Sequence, residues 1–72
     1  MKYAVVFEQA TANWSAYVPD LPGCITTGKT LEETELNIRE AIQGHIATLR
    51  EFGEPVPLAT SQARLVDASP AA

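Results

Sequence analysis

The sequence predicts an α+β domain, a small antiparallel sheet with one long helix on one face, in the chain order β-β-β-α-β. Three observations lead there. Alternation at period two fills the first part of the chain, a single helical periodicity occupies the middle, and Pro and Gly mark the boundaries between segments. Seventy-two residues make one small domain, taken as residues 1–67, followed by a frayed tail over 68–72.

The first strand is read from Lys2-Tyr3-Ala4-Val5-Val6-Phe7-Glu8, where Tyr3, Val5 and Phe7 share one face. After the polar linker Gln9 to Asn13, Trp14-Ser15-Ala16-Tyr17-Val18 repeats the pattern. Trp14, Ala16 and Val18 lie on one side, with Ser15 and Tyr17 on the other. So short a connection makes the pair antiparallel. Pro19-Asp20-Leu21-Pro22-Gly23 interrupts the sheet, and Pro22-Gly23 suits a type II turn because Pro fixes the first φ and Gly accepts the positive one. Cys24-Ile25-Thr26-Thr27 resumes as a short third strand.

Thr30-Leu31-Glu32-Glu33 is a capping box, predicting that the Thr30 hydroxyl accepts from the Glu33 amide and the Glu33 carboxylate accepts from the Thr30 amide. From there Leu31, Ile38, Ile42, Ile46, Leu49 and Phe52 form one apolar stripe. Gly53 fits the position just past the helix, and Pro55 and Pro57 prevent its resumption. Gln62 to Val66 is expected to supply the fourth strand.

Composition narrows the function. Of 33 hydrophobic residues eleven are Ala, leaving 22 larger apolar side chains for a core. Domains this small usually need a staple or a partner chain. One Cys precludes an intrachain disulfide, so self-association is the expected support. One face of the sheet also lacks a covering layer, yet Ala4 and Val6 oppose Tyr3, Val5 and Phe7, and Tyr17 opposes Trp14. Those placements predict that the second face or an edge meets another chain. Five Lys and Arg against nine Asp and Glu give a net charge of −4 with no basic cluster, which argues against direct nucleic-acid binding and suits a basic partner. No apolar run approaches the ~18 residues of a membrane span, the first residues carry no signal-peptide core, and Cys24 is unpaired. A cytoplasmic setting is the expectation.

Candidate chemistry is sparse. Glu8, Asp20 and Glu33 stand at element ends, where a metal-dependent nuclease would hold cations, but Glu33 is accounted for by capping and Asp20 by its turn. No metal site, cofactor or catalytic residue is assigned. His45 has Ala41 and Leu49 as its helical neighbours, so it lacks a partner and reads as a core-edge or contact residue. Cys24 has no adjacent cation to lower its thiol pKa and reads as a small buried group. Trp14 and Tyr17 could stack on bases, yet no Arg or Lys is interleaved with them. Trp14 is expected in the core and Tyr17 at an interface. Glu32, Glu33, Glu35 and Glu40 form a solvated helix surface that could also face a basic protein.

Taken in order, Trp14 through Cys24, Thr26-Thr27-Gly28, Thr30-Leu31-Glu32-Glu33, Asn37-Ile38-Arg39-Glu40-Ala41-Ile42 and Gly53-Glu54-Pro55-Val56-Pro57 resemble the HicB antitoxin family, with the likeness running from Tyr3 to Pro57. The resemblance implies a reduced ribonuclease H-like fold. It also implies a partner, HicA, a small basic toxin that cleaves RNA with a catalytic His on a double-stranded-RNA-binding-like fold and whose site the antitoxin covers. Three departures stand out. Gln9 to Asn13 has no glycine, Glu35-Leu36 replaces a more common order and sets Leu36 off the apolar stripe, and only fifteen residues follow Pro57, which predicts no DNA-binding domain on this chain. The expected function is a non-catalytic, homo-oligomeric (dimeric or tetrameric) module that sequesters such a toxin through Tyr17, Asp20, Leu21, Pro22 and Gly23. An orphan interaction module without a toxin, and a metal-dependent nuclease, are the alternatives.

Overall fold

A computed structural model describes residues 1–70. Three strands, β1 (Val6–Gln9), β2 (Trp14–Tyr17) and β3 (Ile25–Gly28), precede one helix, α1 (Leu31–Glu51). The sheet order is β1-β2-β3, antiparallel throughout, which confirms the α+β class. Phe7 faces Ala16 and Ala16 faces Thr26, so these lie on one side of the sheet; Val6, Tyr17 and Ile25 form the matching row on the other. The helix packs chiefly across β3 and β2. Its core is Ala16, Val18, Leu21, Cys24 and Ile38, with Tyr3, Val5, Phe7, Ala41 and Ile42 packed around them. Trp14, on the helix-facing side, is only half-buried.

The first strand is shorter at its start than the alternation predicts. Beyond Val6 the opposing chain is no longer a strand. Pro19 offers no amide, and Val18 turns away, its amide donating to the Cys24 carbonyl at 3.1 Å. Two successive turns follow, in which the Leu21 amide donates to the Val18 carbonyl (3.1 Å) and the Cys24 amide to the Leu21 carbonyl (3.0 Å). Gly23 has φ +83°, which makes Leu21 to Cys24 the expected type II turn.

At the start of α1 the Thr30 hydroxyl accepts from the Glu33 amide at 3.0 Å. The return bond differs from the expected box, since the Glu33 carboxylate accepts from the Lys29 amide at 3.1 Å instead of from Thr30. Both arrangements satisfy an amide at the helix entrance. Thr34 is fully buried, its hydroxyl donating to the Thr30 carbonyl at 2.7 Å. It sits directly over Gly28, where a β-carbon would lie 2.8 Å from the Thr34 nitrogen. The helix ends in a Schellman motif: the Glu54 amide donates to the Leu49 carbonyl (2.8 Å), the Gly53 amide to the Arg50 carbonyl (3.1 Å), and Gly53 has φ +67°. At ~1.5 Å per residue α1 is about 31 Å long, whereas a four-residue strand spans only ~14 Å. The apolar stripe is therefore buried in the middle at Ile38 and exposed at Leu31 and Phe52. Leu36, off that stripe, is exposed.

The fourth strand is a correction. No strand forms over Gln62 to Val66, and among the described residues no backbone–backbone hydrogen bond involves residues 58–70. Leu65 and Val66 are neighbours, so a strand would bury one and expose the other, and only Ala63 could join Leu65 on a buried face. Tyr3 and Asp20 hold the returning chain instead. The Tyr3 hydroxyl donates to the Pro57 carbonyl at 2.6 Å, and Asp20 binds Thr60 and Ser61. Residues 68–70 are exposed and without regular structure, and the rest of the expected tail, 71–72, lies outside the described residues.

Candidate protein-docking face

The side of the sheet away from α1 carries a row of three apolar residues, one per strand. Tyr17 pairs with Val6 on β1 and with Ile25 on β3. Residues directly opposite across an antiparallel pair have β-carbons ~4.5–5.5 Å apart, so the three form a continuous patch. Val6 is half-buried, Tyr17 is 41% exposed and Ile25 is 70% exposed. Glu8, Ser15 and Thr27 make the next row, which gives the patch a polar margin. Pro22 and Gly23 are exposed on the turn that leads into Cys24-Ile25.

The five residues expected to meet a partner thus separate. Tyr17, Pro22 and Gly23 are on the surface. Leu21 is 0% exposed and at the centre of the core, where its side chain offers nothing to a partner. Asp20 is engaged internally: its Oδ2 accepts from the amides of Thr60 (3.0 Å) and Ser61 (2.8 Å), and its Oδ1 from their hydroxyls (3.2 and 2.8 Å). These bonds, from Ser61 first, hold its carboxyl below the ordinary carboxylate pKa. Ile25, which the sequence did not single out, joins this exposed row. Its exposure follows from alternation, since a buried Cys24 sends its neighbour to the opposite face.

The candidates for other chemistry stay apart. Glu8, Asp20 and Glu33 do not converge, and among the described residues no three His, Cys, Asp or Glu side chains are grouped to hold a metal ion. Burial pushes the Cys24 thiol pKa up, which disfavours the thiolate. His45 is half-buried beside a cavity of about 270 Å³ that Cys24, Ile25 and Leu49 also line. Among the described residues no helix is long and apolar enough to cross a membrane. What the arrangement supports is a docking surface: exposed apolar groups on a rigid sheet, in a protein with an excess of acidic residues.

Comparison with known proteins gives the same direction. A family model described as HicB-like antitoxin of bacterial toxin-antitoxin system matches residues 3–71. A UPF0150 protein of Thermoplasma acidophilum is 41% identical over 58 residues, covering 79% of this chain and 84% of the relative. A UPF0150 protein of Synechocystis is 39% identical over 56 residues, 76% of this chain and 71% of the relative. An uncharacterized 14.9 kDa protein in the rep-hol intergenic region of Haemophilus phage HP1 is 40% identical over 57 residues, 79% of this chain but only 43% of the phage protein. No solved structure gives a significant match.

Proposed function

This chain belongs to the HicB-like antitoxin family of bacterial toxin-antitoxin systems, and from that premise we propose that it is a non-catalytic binding module that sequesters a small basic RNA-cleaving toxin of the HicA type. The observation that carries the reading is the apolar row Val6–Tyr17–Ile25, in which Tyr17 and Ile25 stand exposed beside the Pro22-Gly23 turn. The net charge of −4 attracts a cationic partner at long range and speeds encounter. Burial of Tyr17 and Ile25 then slows release, since a few central side chains dominate most interfaces. The module works as a homo-oligomer in the reducing cytoplasm, where an unpaired Cys24 is unremarkable. Its three strands and helix are compatible with a reduced ribonuclease H fold.

The test is co-expression of a candidate small basic toxin of the HicA type with each variant, scored by growth and by surface-binding kinetics. Wild type relieves toxicity, Tyr17→Ala combined with Ile25→Ala loses protection, and Glu40→Gln, on the exposed helix surface, retains it. Raising salt slows association more than it hastens dissociation. Toxicity that wild type fails to relieve refutes the partner; protection by the double variant refutes the surface.

A further inference from the structure

The chain exposes 5685 Å² of accessible surface, whereas a folded monomer of 7.8 kDa exposes ~4,400 Å². The excess of about 1,300 Å² exceeds the ~800 Å² per partner that a stable interface buries. Part of it belongs to an arm. After the Asp20 clamp on Thr60 and Ser61, the segment Gln62 to Leu65 runs past residues 4–7 and Pro19 without a backbone–backbone hydrogen bond, and Leu65 and Val66 stay in water. A cavity of about 440 Å³ separates the start of the arm from that strand.

Elsewhere an apolar groove stands open. Because α1 covers β3 and β2 more than β1, a cavity of about 460 Å³ lies between Tyr3, Val5 and Phe7, at and before the start of β1, and the helix residues Ile38 and Ile42. Its rim carries both charge signs, Lys2 and Arg39 against Glu35. The arm has the complementary layout, an apolar Leu65-Val66 pair with Arg64 before it and Asp67 after it. The clamp holds each arm beside its own residues 4–7, where Leu65 gains no cover.

We infer that two copies of this chain exchange arms, Leu65 and Val66 of each seating in the Tyr3–Val5–Phe7–Ile38–Ile42 groove of the other. The exchange is reciprocal, so it closes as a two-fold dimer and leaves no arm or groove unfilled. It rests on the self-association proposed above and gives it a specific contact, on a different surface from the Val6–Tyr17–Ile25 row.

Sedimentation equilibrium of the full chain across the micromolar range tests it. Wild type sediments at twice the mass of the chain, and Leu65→Asp raises the dimer dissociation constant about tenfold or more. Since Leu65 has no cover within its own chain, the variant keeps the helical circular-dichroism signal of wild type. A mixture of Leu65→Cys and Gln43→Cys chains, Gln43 being an exposed rim residue, forms a disulfide-linked heterodimer under mild oxidation. A dimer as tight in Leu65→Asp as in wild type, or no linked heterodimer, overturns the arm exchange while leaving self-association standing. A monomer at every concentration overturns both.

Discussion

Replacing Gly28 by Ala tests how the helix is seated on the sheet. Gly28 ends β3, pairs with Trp14 and does not adopt a positive φ, so its backbone accepts Ala without strain. On chain entropy alone the change would stabilise by ~0.4–1 kcal/mol. Packing acts the other way. The added β-carbon would clash with the Thr34 hydroxyl and lie 2.8 Å from the Thr34 nitrogen and 3.0 Å from its α-carbon. Backbone atoms cannot rotate aside, so the first turn of α1 must lift off β3, and overpacking of this kind costs ~1–3 kcal/mol. The Thr34 hydroxyl is fully buried and donates to the Thr30 carbonyl at 2.7 Å, a bond whose loss adds ~1 kcal/mol. The packing and hydrogen-bond terms outweigh the entropy gain, and the expected net loss is about 2 kcal/mol. For a domain of this size that lowers Tm by ~8–16 °C. Urea and thermal unfolding at one fixed protein concentration measure it, because the proposed self-association would make Tm depend on concentration. Adding Thr34→Ala removes the hydroxyl but leaves the nitrogen and α-carbon in place, so it restores only part of the loss. A Gly28→Ala protein as stable as wild type would mean that the helix start is not closely seated here.

Two local features give smaller and sharper tests. Thr30→Ala removes the hydroxyl that accepts from the Glu33 amide and costs ~1 kcal/mol in denaturant unfolding, while Gly23→Val costs more because a β-branched residue is strained at φ +83°; a harmless Gly23→Val contradicts the turn geometry. The Asp20 clamp is pH-dependent. Its pKa is lower folded than unfolded, so its contribution is complete above the unfolded value of ~3.9 and is lost as pH falls through the lower folded value. The Thr60 and Ser61 amide resonances therefore hold their positions from neutral pH down to about pH 4 and shift together below it; in Asp20→Asn that acid-driven movement is absent.

Much of this architecture is legible because it is local. The Thr30 cap, the Pro22-Gly23 turn and the Gly53 helix end each depend on residues within a few positions of one another, and each forms. The Tyr3, Val5 and Phe7 alternation likewise places those side chains around the core. What escaped the sequence is non-local. Asp20 meets Ser61 across 41 positions, and no spacing signals that a turn carboxylate will clamp a distant Thr-Ser pair. Gly28 looks like a loop residue until the helix is laid over it. The Gln62 to Val66 strand failed because strand-favouring residues need an edge that pairs with them, and pairing is a property of the assembled sheet. At the proposed docking face, Tyr17 is visible in the sequence as the aromatic opposite Trp14. Leu21 is buried where the sequence suggested an exposed contact, because a turn can fold an apolar side chain inward as readily as display it.

The burial of Leu21 separates two properties that are easily confused. The Pro19-to-Cys24 segment is among the motifs that resemble the family, yet its two hydrogen-bonded turns serve to drive one side chain into the interior. Such a segment identifies the scaffold and says little about whom the scaffold greets. Replacing Leu21 alone should alter how well the domain holds together and leave its allegiance unchanged, because its side chain does not reach the surface. On the proposed docking face, exchanging Tyr17 and Ile25 should redirect allegiance at little cost to the scaffold, because both side chains already stand partly in solvent. New pairings could thus arise by drift on the open side of the sheet while the plug beneath it stays fixed.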